Sequence, residues 1–213
     1  MHPEKVMAPG LGDPVAAGQI IFRQALTAMS RPATARKVDF YPLFRTAPPL
    51  PMVTAALVMT LADSQTPLWL SPSLKEAQSW LNFHLSAEIS NNLSTAQFVV
   101  CGSPEELPRF SELTRGTDRR PDLSATVIIS KALNSPEDKI IAANNIEPWA
   151  WGPGLKNPRP FSGPFLTPNF WSDWQENTAL YPMGVDVFLT GDNLLAGLPR
   201  SVRLGKKPKA SNN

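Results

Sequence analysis

One cysteine, Cys101, is present in 213 residues. An intramolecular disulfide is therefore excluded, and so is an iron–sulfur cluster, which needs several thiolates. There are only two histidines, His2 and His84, and no Cys or His pair stands at metal-ligand spacing. Net charge is only +2, too small to argue for nucleic acid. No apolar run reaches the length that crosses a bilayer, and residues 1–14 lack the apolar core of a secretory signal. The expectation is a cytoplasmic protein with neither a nucleic-acid nor a membrane partner. Several catalytic signatures are also missing. There is no GxxxxGK[ST] loop and no Gly-x-Ser-x-Gly elbow, and Gly10-Leu-Gly12 and Gly152-Pro-Gly154 do not extend to a dinucleotide fingerprint.

What is abundant is apolar residues, at 42%, enough for a packed core, and proline, at 23 residues, much of it placed where helices begin. Asp13-Pro14 caps and opens a first helix, whose Val15, Phe22, Leu26 and Met29 predict one buried stripe; Pro32 ends it. Pro51 opens a second, nearly all-apolar helix, followed by a turn and a strand, Leu68–Leu70. Ser73 and Glu76 stand at capping-box spacing for a third helix carrying Ala77, Leu81, His84 and Leu85. Phe98–Cys101 and Ala125–Ser130 read as buried strands, with a helix from Ser103-Pro104 between them, its core face Leu107, Phe110 and Leu113. Residues 145–167, dense in Pro, Gly and aromatics, predict irregular structure, and Thr167-Pro168 starts a last helix. Val185–Leu189, a turn at Gly191–Asn193 and the segments Leu194–Ala196 to Val202–Leu204 predict a terminal hairpin in the sheet. The organisation expected is a loose arm over 1–13, a single α/β domain over 14–204 with a three-layer, mixed sheet, and a disordered tail over 205–213.

Candidate reactive groups are few. For His84 a half-buried ring bonded to a backbone carbonyl is favoured over a ligand role. Cys101 ends an apolar strand and reads as a small core residue, not a nucleophile. Asp63 reads first as a turn residue, with a polar group at a cleft as the alternative. Lys131 follows a strand, as a Schiff-base lysine does, but no phosphate cup surrounds it in sequence and a surface lysine is preferred. Arg31, Arg36, Arg45, Arg115, Arg119, Arg120, Arg159, Arg200 and Arg203 suit phosphate or phosphonate, yet scattered arginines are more often solvated. Trp149, Trp151, Trp171 and Trp174 suit core packing and interface anchoring about equally.

Phe22-Arg-Gln-Ala-Leu-Thr-Ala-Met-Ser-Arg-Pro32 resembles the FRxxLxAMSxPG opening of the PhnH family, with Ala33 where that family usually has glycine. Leu57–Leu70 resembles its LLTLxDxxTPVWL segment. Asn82-Phe83-His84 is similar to its RFHT element, with Leu85 in place of threonine. Leu113–Ile128, Gly152–Leu155, Tyr181–Leu189 and Leu198-Pro199-Arg200 are similar to further elements, in order, so that the likeness runs from Gln19 to Arg203. The resemblance implies a fold like that of pyridoxal-phosphate-dependent transferases but without the cofactor, a homodimer, and membership of the carbon–phosphorus lyase core complex with its G, I and J subunits. That assembly displaces adenine from ATP with a phosphonate, giving alpha-D-ribose 1-methylphosphonate 5-triphosphate. ATP and phosphonate are then substrates of the complex, the iron–sulfur cluster belongs to another subunit, and this subunit assists, holding no cofactor or metal and not catalysing alone. If it binds substrate, the polar and glycine positions inside the matching motifs are the candidates: Asp63, His84, Gly152, Gly154, Asp186 and Arg200. Two other readings remain beside it, a stand-alone pyridoxal-phosphate transferase and a small phosphate- or nucleotide-binding module.

Overall fold

A computed structural model describes residues 7–38, 44, 47–133 and 148–208. Helix α1 spans Pro14–Ser30; Asp13 Oδ1 accepts from the N–H groups of Val15 and Ala16 at 3.1 and 3.0 Å, which satisfies two of the donors a helix start leaves open. Strand β1 (Arg36–Lys37), helix α2 (Met52–Leu61) and strand β2 (Leu68–Leu70) follow. A 3-10 turn over Pro72–Ala77 leads into α3 (Gln78–Leu85), then β3 (Phe98–Cys101) and β4 (Thr126–Ile129). After residues 134–147 come β5 (Trp149–Trp151), β6 (Arg159–Pro160), α4 (Pro168–Ala179), β7 (Asp186–Thr190), β8 (Leu194–Leu198) and β9 (Arg203–Gly205).

The main sheet is mixed and has the order β1-β8-β7-β4-β3-β2. Strands β2, β3, β4 and β7 run parallel, in register Leu68↔Phe98, Phe98↔Thr126 and Thr126↔Asp186, so their amino ends form one row. Strands β8 and β1 are added antiparallel. Because side chains alternate across a pleated strand, each strand feeds two cores. Val100, Ile128, Phe188 and Leu195 meet α1, α2, Leu74, Trp80 and Leu81 on one face. Val99, Cys101, Val127, Ile129, Val187 and Leu189 meet Phe110, Phe165, Phe170 and Trp174 on the other. Both faces are thus covered, which is why the parallel strands read as continuous apolar runs.

Several expectations change. Helix α1 turns its small residues, Ala17, Ala25 and Ala28, together with Ile21, to the core, and leaves Val15 72%, Phe22 47% and Leu26 54% exposed. The cause is a close approach: a Cβ on Gly197 of β8 would lie 2.6 Å from the Ala28 carbonyl, so only small side chains fit under the helix. Ser73 forms no capping box, because its N–H and hydroxyl both donate to Glu106. The expected helix after Ser103 is two 3-10 turns, Pro104–Glu106 and Phe110–Glu112, since Pro108 lacks a donor and constrains Leu107 before it. Leu107 accordingly packs only partly buried, with Phe110 and Leu113 in the core.

The terminal hairpin is β7–β8 alone. Strand β9 leaves the sheet and pairs with β5, Trp151↔Arg203, in a separate sheet of order β6-β5-β9 whose β5 and β6 come from the stretch expected to be irregular; residues 145–147 of that stretch lie outside the described residues. Gly205 therefore closes a strand where the polar tail was expected to start, and residues 209–213 of that tail lie outside the described residues. Within the expected loose arm, residues 7–12 are docked: the Ala8 carbonyl accepts from Trp80 Nε1 at 2.8 Å, and Met7, Ala8 and Leu11 pack on the core. Residues 1–6, with His2, and Arg45 are outside the described residues. Among the described residues no helix is long and apolar enough to cross a membrane, and no three His, Cys, Asp or Glu stand close enough to hold a metal.

Candidate functional site

An apolar groove of 630 Å³ opens at the amino ends of β3, β4 and β7. Phe22, Leu26 and Met29 of α1 form one wall, with Leu61 at the end of α2. Phe98, Thr126 and Asp186, the first residues of β3, β4 and β7, form the floor. Pro153, Gly154, Pro199 and Ser201 close the far side. Ligands of open α/β sheets ordinarily sit at the carboxyl ends of the strands. A groove at the opposite end, walled by half-exposed Phe and Leu, has the character of a protein-docking surface.

The six positions singled out in the sequence separate into two groups. Gly154, Asp186, Gly152 and Arg200 lie together at this end of the molecule. Gly154 adopts φ +81°, and a Cβ there would lie 2.7 Å from the Ser30 carbonyl, so glycine is what lets this loop close against the end of α1. Gly152 sits against the Ser201 carbonyl. Asp186 and Arg200 form an ion pair: Nη2 to Oδ2 is 2.6 Å, Nε to Oδ1 is 3.1 Å, and the Arg200 backbone N–H donates to Oδ1 at 2.8 Å. The same guanidinium donates to the Pro121 carbonyl at 3.0 Å and to the Ser124 hydroxyl. With its donors occupied, Arg200 ties β7, the turn at Pro121–Leu123 and the chain after β8 into one rim for the groove.

Asp63 and His84 do not line the groove. Asp63 forms a local turn, its Oδ1 accepting from Gln65 N–H at 2.9 Å and from the Thr66 hydroxyl at 2.8 Å; the Thr66 and Gln65 bonds hold its carboxyl below the usual carboxylate range. His84 places Nε2 3.0 Å from the Ala8 carbonyl, edge-on to Trp80 and Phe83, and Gly10 packs against its ring. Cys101 is fully buried, and that burial pushes its thiol well above its ordinary value, far from thiolate reactivity. Lys131 is an exposed turn residue after β4 with φ +52°. Trp174 is core, donating Nε1 to the Val202 carbonyl at 3.0 Å. Trp149, Trp151 and Trp171 are half-buried; Lys207 covers Trp149 at 4.6 Å. Among the described residues, the exposed large aromatics are instead Phe22, Phe83 and Tyr181.

Sequence reading missed a polar cluster at the carboxyl ends of β2 and β3. Glu106 accepts from Ser71 Oγ at 2.8 Å, Ser73 N–H at 2.9 Å and Ser73 Oγ at 2.5 Å, while Ser71 Oγ accepts from Gly102 N–H. Burial raises the Glu106 carboxyl, but the bonds from Ser73 and Ser71 outweigh it and the net shift is downward. A second missed cluster is wholly buried: Thr54 Oγ1 of α2 lies 2.7 Å from Ser130 Oγ and 2.9 Å from Thr190 Oγ1. Both join residues more than thirty positions apart, and no local spacing announces them.

The family described as bacterial phosphonate metabolism protein (PhnH) matches residues 9–205 of this chain. A relative from Rhizobium meliloti (strain 1021), alpha-D-ribose 1-methylphosphonate 5-triphosphate synthase subunit PhnH, is 28% identical over 208 residues, covering 95% of this chain and 98% of the relative.

Proposed function

The chain belongs to the PhnH family of bacterial phosphonate metabolism proteins, and from that premise we propose that it is a cytoplasmic subunit of alpha-D-ribose 1-methylphosphonate 5-triphosphate synthase that acts by presenting surface to its companions. The near end-to-end match to a protein named as a subunit of that synthase supports the activity assigned to the assembly. The observation that carries the mode of action is the groove beside α1. Phe22 and Leu26 stand half in solvent on the wall of a 630 Å³ apolar cleft, while the carboxylates, the thiol and the histidine described above are buried or already engaged by other groups of the chain.

The finer parts of the proposal are a homodimer, assembly with the G, I and J subunits, and a sheet related to that of pyridoxal-phosphate-dependent transferases with no cofactor held by this subunit. The mixed main sheet, parallel at its centre and antiparallel at one side, is what supports the last. In this reading the apolar wall is covered by a companion subunit, burying side chains whose exposure in the isolated chain disfavours it by about 25 cal/mol per Å². Co-expression of the tagged chain with its companion subunits tests it: co-purification of a stoichiometric assembly is expected, and a chain that never associates, or that converts ATP and phosphonate unaided, refutes it.

A further inference from the structure

A second surface, adjoining the groove at Gly154, carries charge instead of apolar side chains. Two cavities meet there. One, of 290 Å³, is lined by Arg23, Gln24, Thr27, Arg36 and Lys37; the other, of 470 Å³, by Arg31, Thr34, Arg36, Lys156 and Arg159. Arg36 is a wall of both. Arg23 and Thr27 of α1 and its C-cap Arg31 follow one another at four-residue spacing, Arg36 and Lys37 form β1, Lys156 comes from the segment between β5 and β6, and Arg159 opens β6. The cations thus converge from three parts of the chain. Among the described residues no carboxylate lines either cavity, and none of these six cations forms a salt bridge. Arg31 sits at the C-cap of α1, where a cation is favoured by the helix dipole alone, but that account does not extend to Arg36, Lys156 or Arg159.

The second observation is at Arg36 itself. Its Nε is buried and has no hydrogen-bond partner; the Oε1 of Gln24, another lining residue of the smaller cavity, is in the same condition. A buried guanidinium N–H without an acceptor is costly, and native proteins rarely leave one so. Arg36 as a residue lines both cationic cavities. An anion seated where the cavities meet offers acceptors to the Arg36 guanidinium and neutralises the convergence. Arginine fits the oxygens of a phosphate with two parallel bonds, and a chain of phosphates is long enough to reach from Arg36 toward Arg159.

Deepening the proposed subunit role, on which the identity of the ligand rests, we propose that this basic cleft binds the oligophosphate chain of a phosphate ester, the part that ATP and a ribose 5-triphosphate share. Thr34 and Arg159, joined by a bond of 2.8 Å from Nη1 to Oγ1, set one end of the cleft, and Gln24 lies at the other.

Isothermal titration of the full chain with inorganic triphosphate, ATP and ribose 5-phosphate tests this. Triphosphate and ATP are expected to bind more tightly than ribose 5-phosphate, with affinity falling as salt rises. The double variant Lys156→Ala/Arg159→Ala, and separately Arg31→Ala, should each weaken binding by about tenfold or more, while Arg120→Ala, remote in an exposed pair with Asp122, leaves it unchanged. Triphosphate alone sufficing assigns recognition to the phosphates; ATP alone binding, and lost in the variants, assigns it to an esterified chain. No binding of either, or binding that neither variant alters, overturns the proposal. Capture of the same variants by companion subunits separates the two readings: capture without ligand binding removes only the ligand assignment, and ligand binding without capture counts against the subunit role alone.

Discussion

Replacing Arg200 by alanine distinguishes a rim held together by an ion pair from a ligand-binding arginine. The side chain is 14% exposed and its partner Asp186 29%, so the pair is neither solvated nor fully buried. Truncation removes the Nη2 and Nε bonds to Asp186 and leaves its carboxylate with one backbone N–H, and it also frees the Pro121 carbonyl and the Ser124 hydroxyl. Charge-assisted bonds contribute about 1.5–3 kcal/mol each when desolvated, and screening at this partial exposure reduces that. The expected loss is roughly 3 kcal/mol, at the lower edge of what breaking a buried pair costs. For a domain of this size it lowers the melting temperature by roughly 6–12 °C. Arg200→Lys keeps the charge but not the fork, and should recover about half of the loss. Arg120→Ala removes the exposed pair with Asp122 and is expected to leave the transition in place. Thermal and urea unfolding followed by circular dichroism measure all three. An Arg200→Ala protein that melts with wild type would refute the reasoning and return Arg200 to the pool of ligand-binding candidates.

The Glu106 cluster makes stability depend on pH. Its folded carboxyl titrates below its unfolded value, so the stabilisation is present above about pH 4.3 and is lost as pH falls through the lowered folded value. Urea midpoints taken from about pH 6 to about pH 3 should fall less steeply in Glu106→Gln than in wild type, and identical slopes would contradict this. At the buried hydroxyl trio, Thr54→Val keeps shape but strands the Ser130 hydroxyl, at an expected cost of about 1–3 kcal/mol, of which adding Ser130→Ala should restore part; a double variant no more stable than the single would count against a trio held by hydrogen bonds.

Much of the fold was legible because local chemistry decides it. Asp13-Pro14 and Thr167-Pro168 start helices through a side-chain acceptor and a residue that lacks a donor, and both start where the sequence places them. Leu68–Leu70, Phe98–Cys101 and Thr126–Ile129 are strands because short β-prone runs buried on both faces have few alternatives. The facing of α1 was not legible. Periodicity finds an apolar stripe but not which of two stripes a neighbouring glycine will admit, and Gly197 lies 169 positions after Ala28. The candidate site suffered from the same limit. Asp186 and Arg200 were marked from their motifs, yet their bond, and the groove beside them, arise from chain segments brought together only by the fold. Ala33, where the resembling family has glycine, is legible in retrospect: its φ is +52°, a conformation that glycine adopts freely and alanine does not.

The proposed subunit role depends on the half-exposed apolar wall of α1 being a docking surface. The most direct test is size-exclusion chromatography with light scattering of the co-expressed assembly carrying Phe22→Glu/Leu26→Glu in this chain. Both residues already stand in solvent, so the variant should melt with wild type while eluting apart from its companions. A folded variant that still assembles at full stoichiometry would contradict the claim.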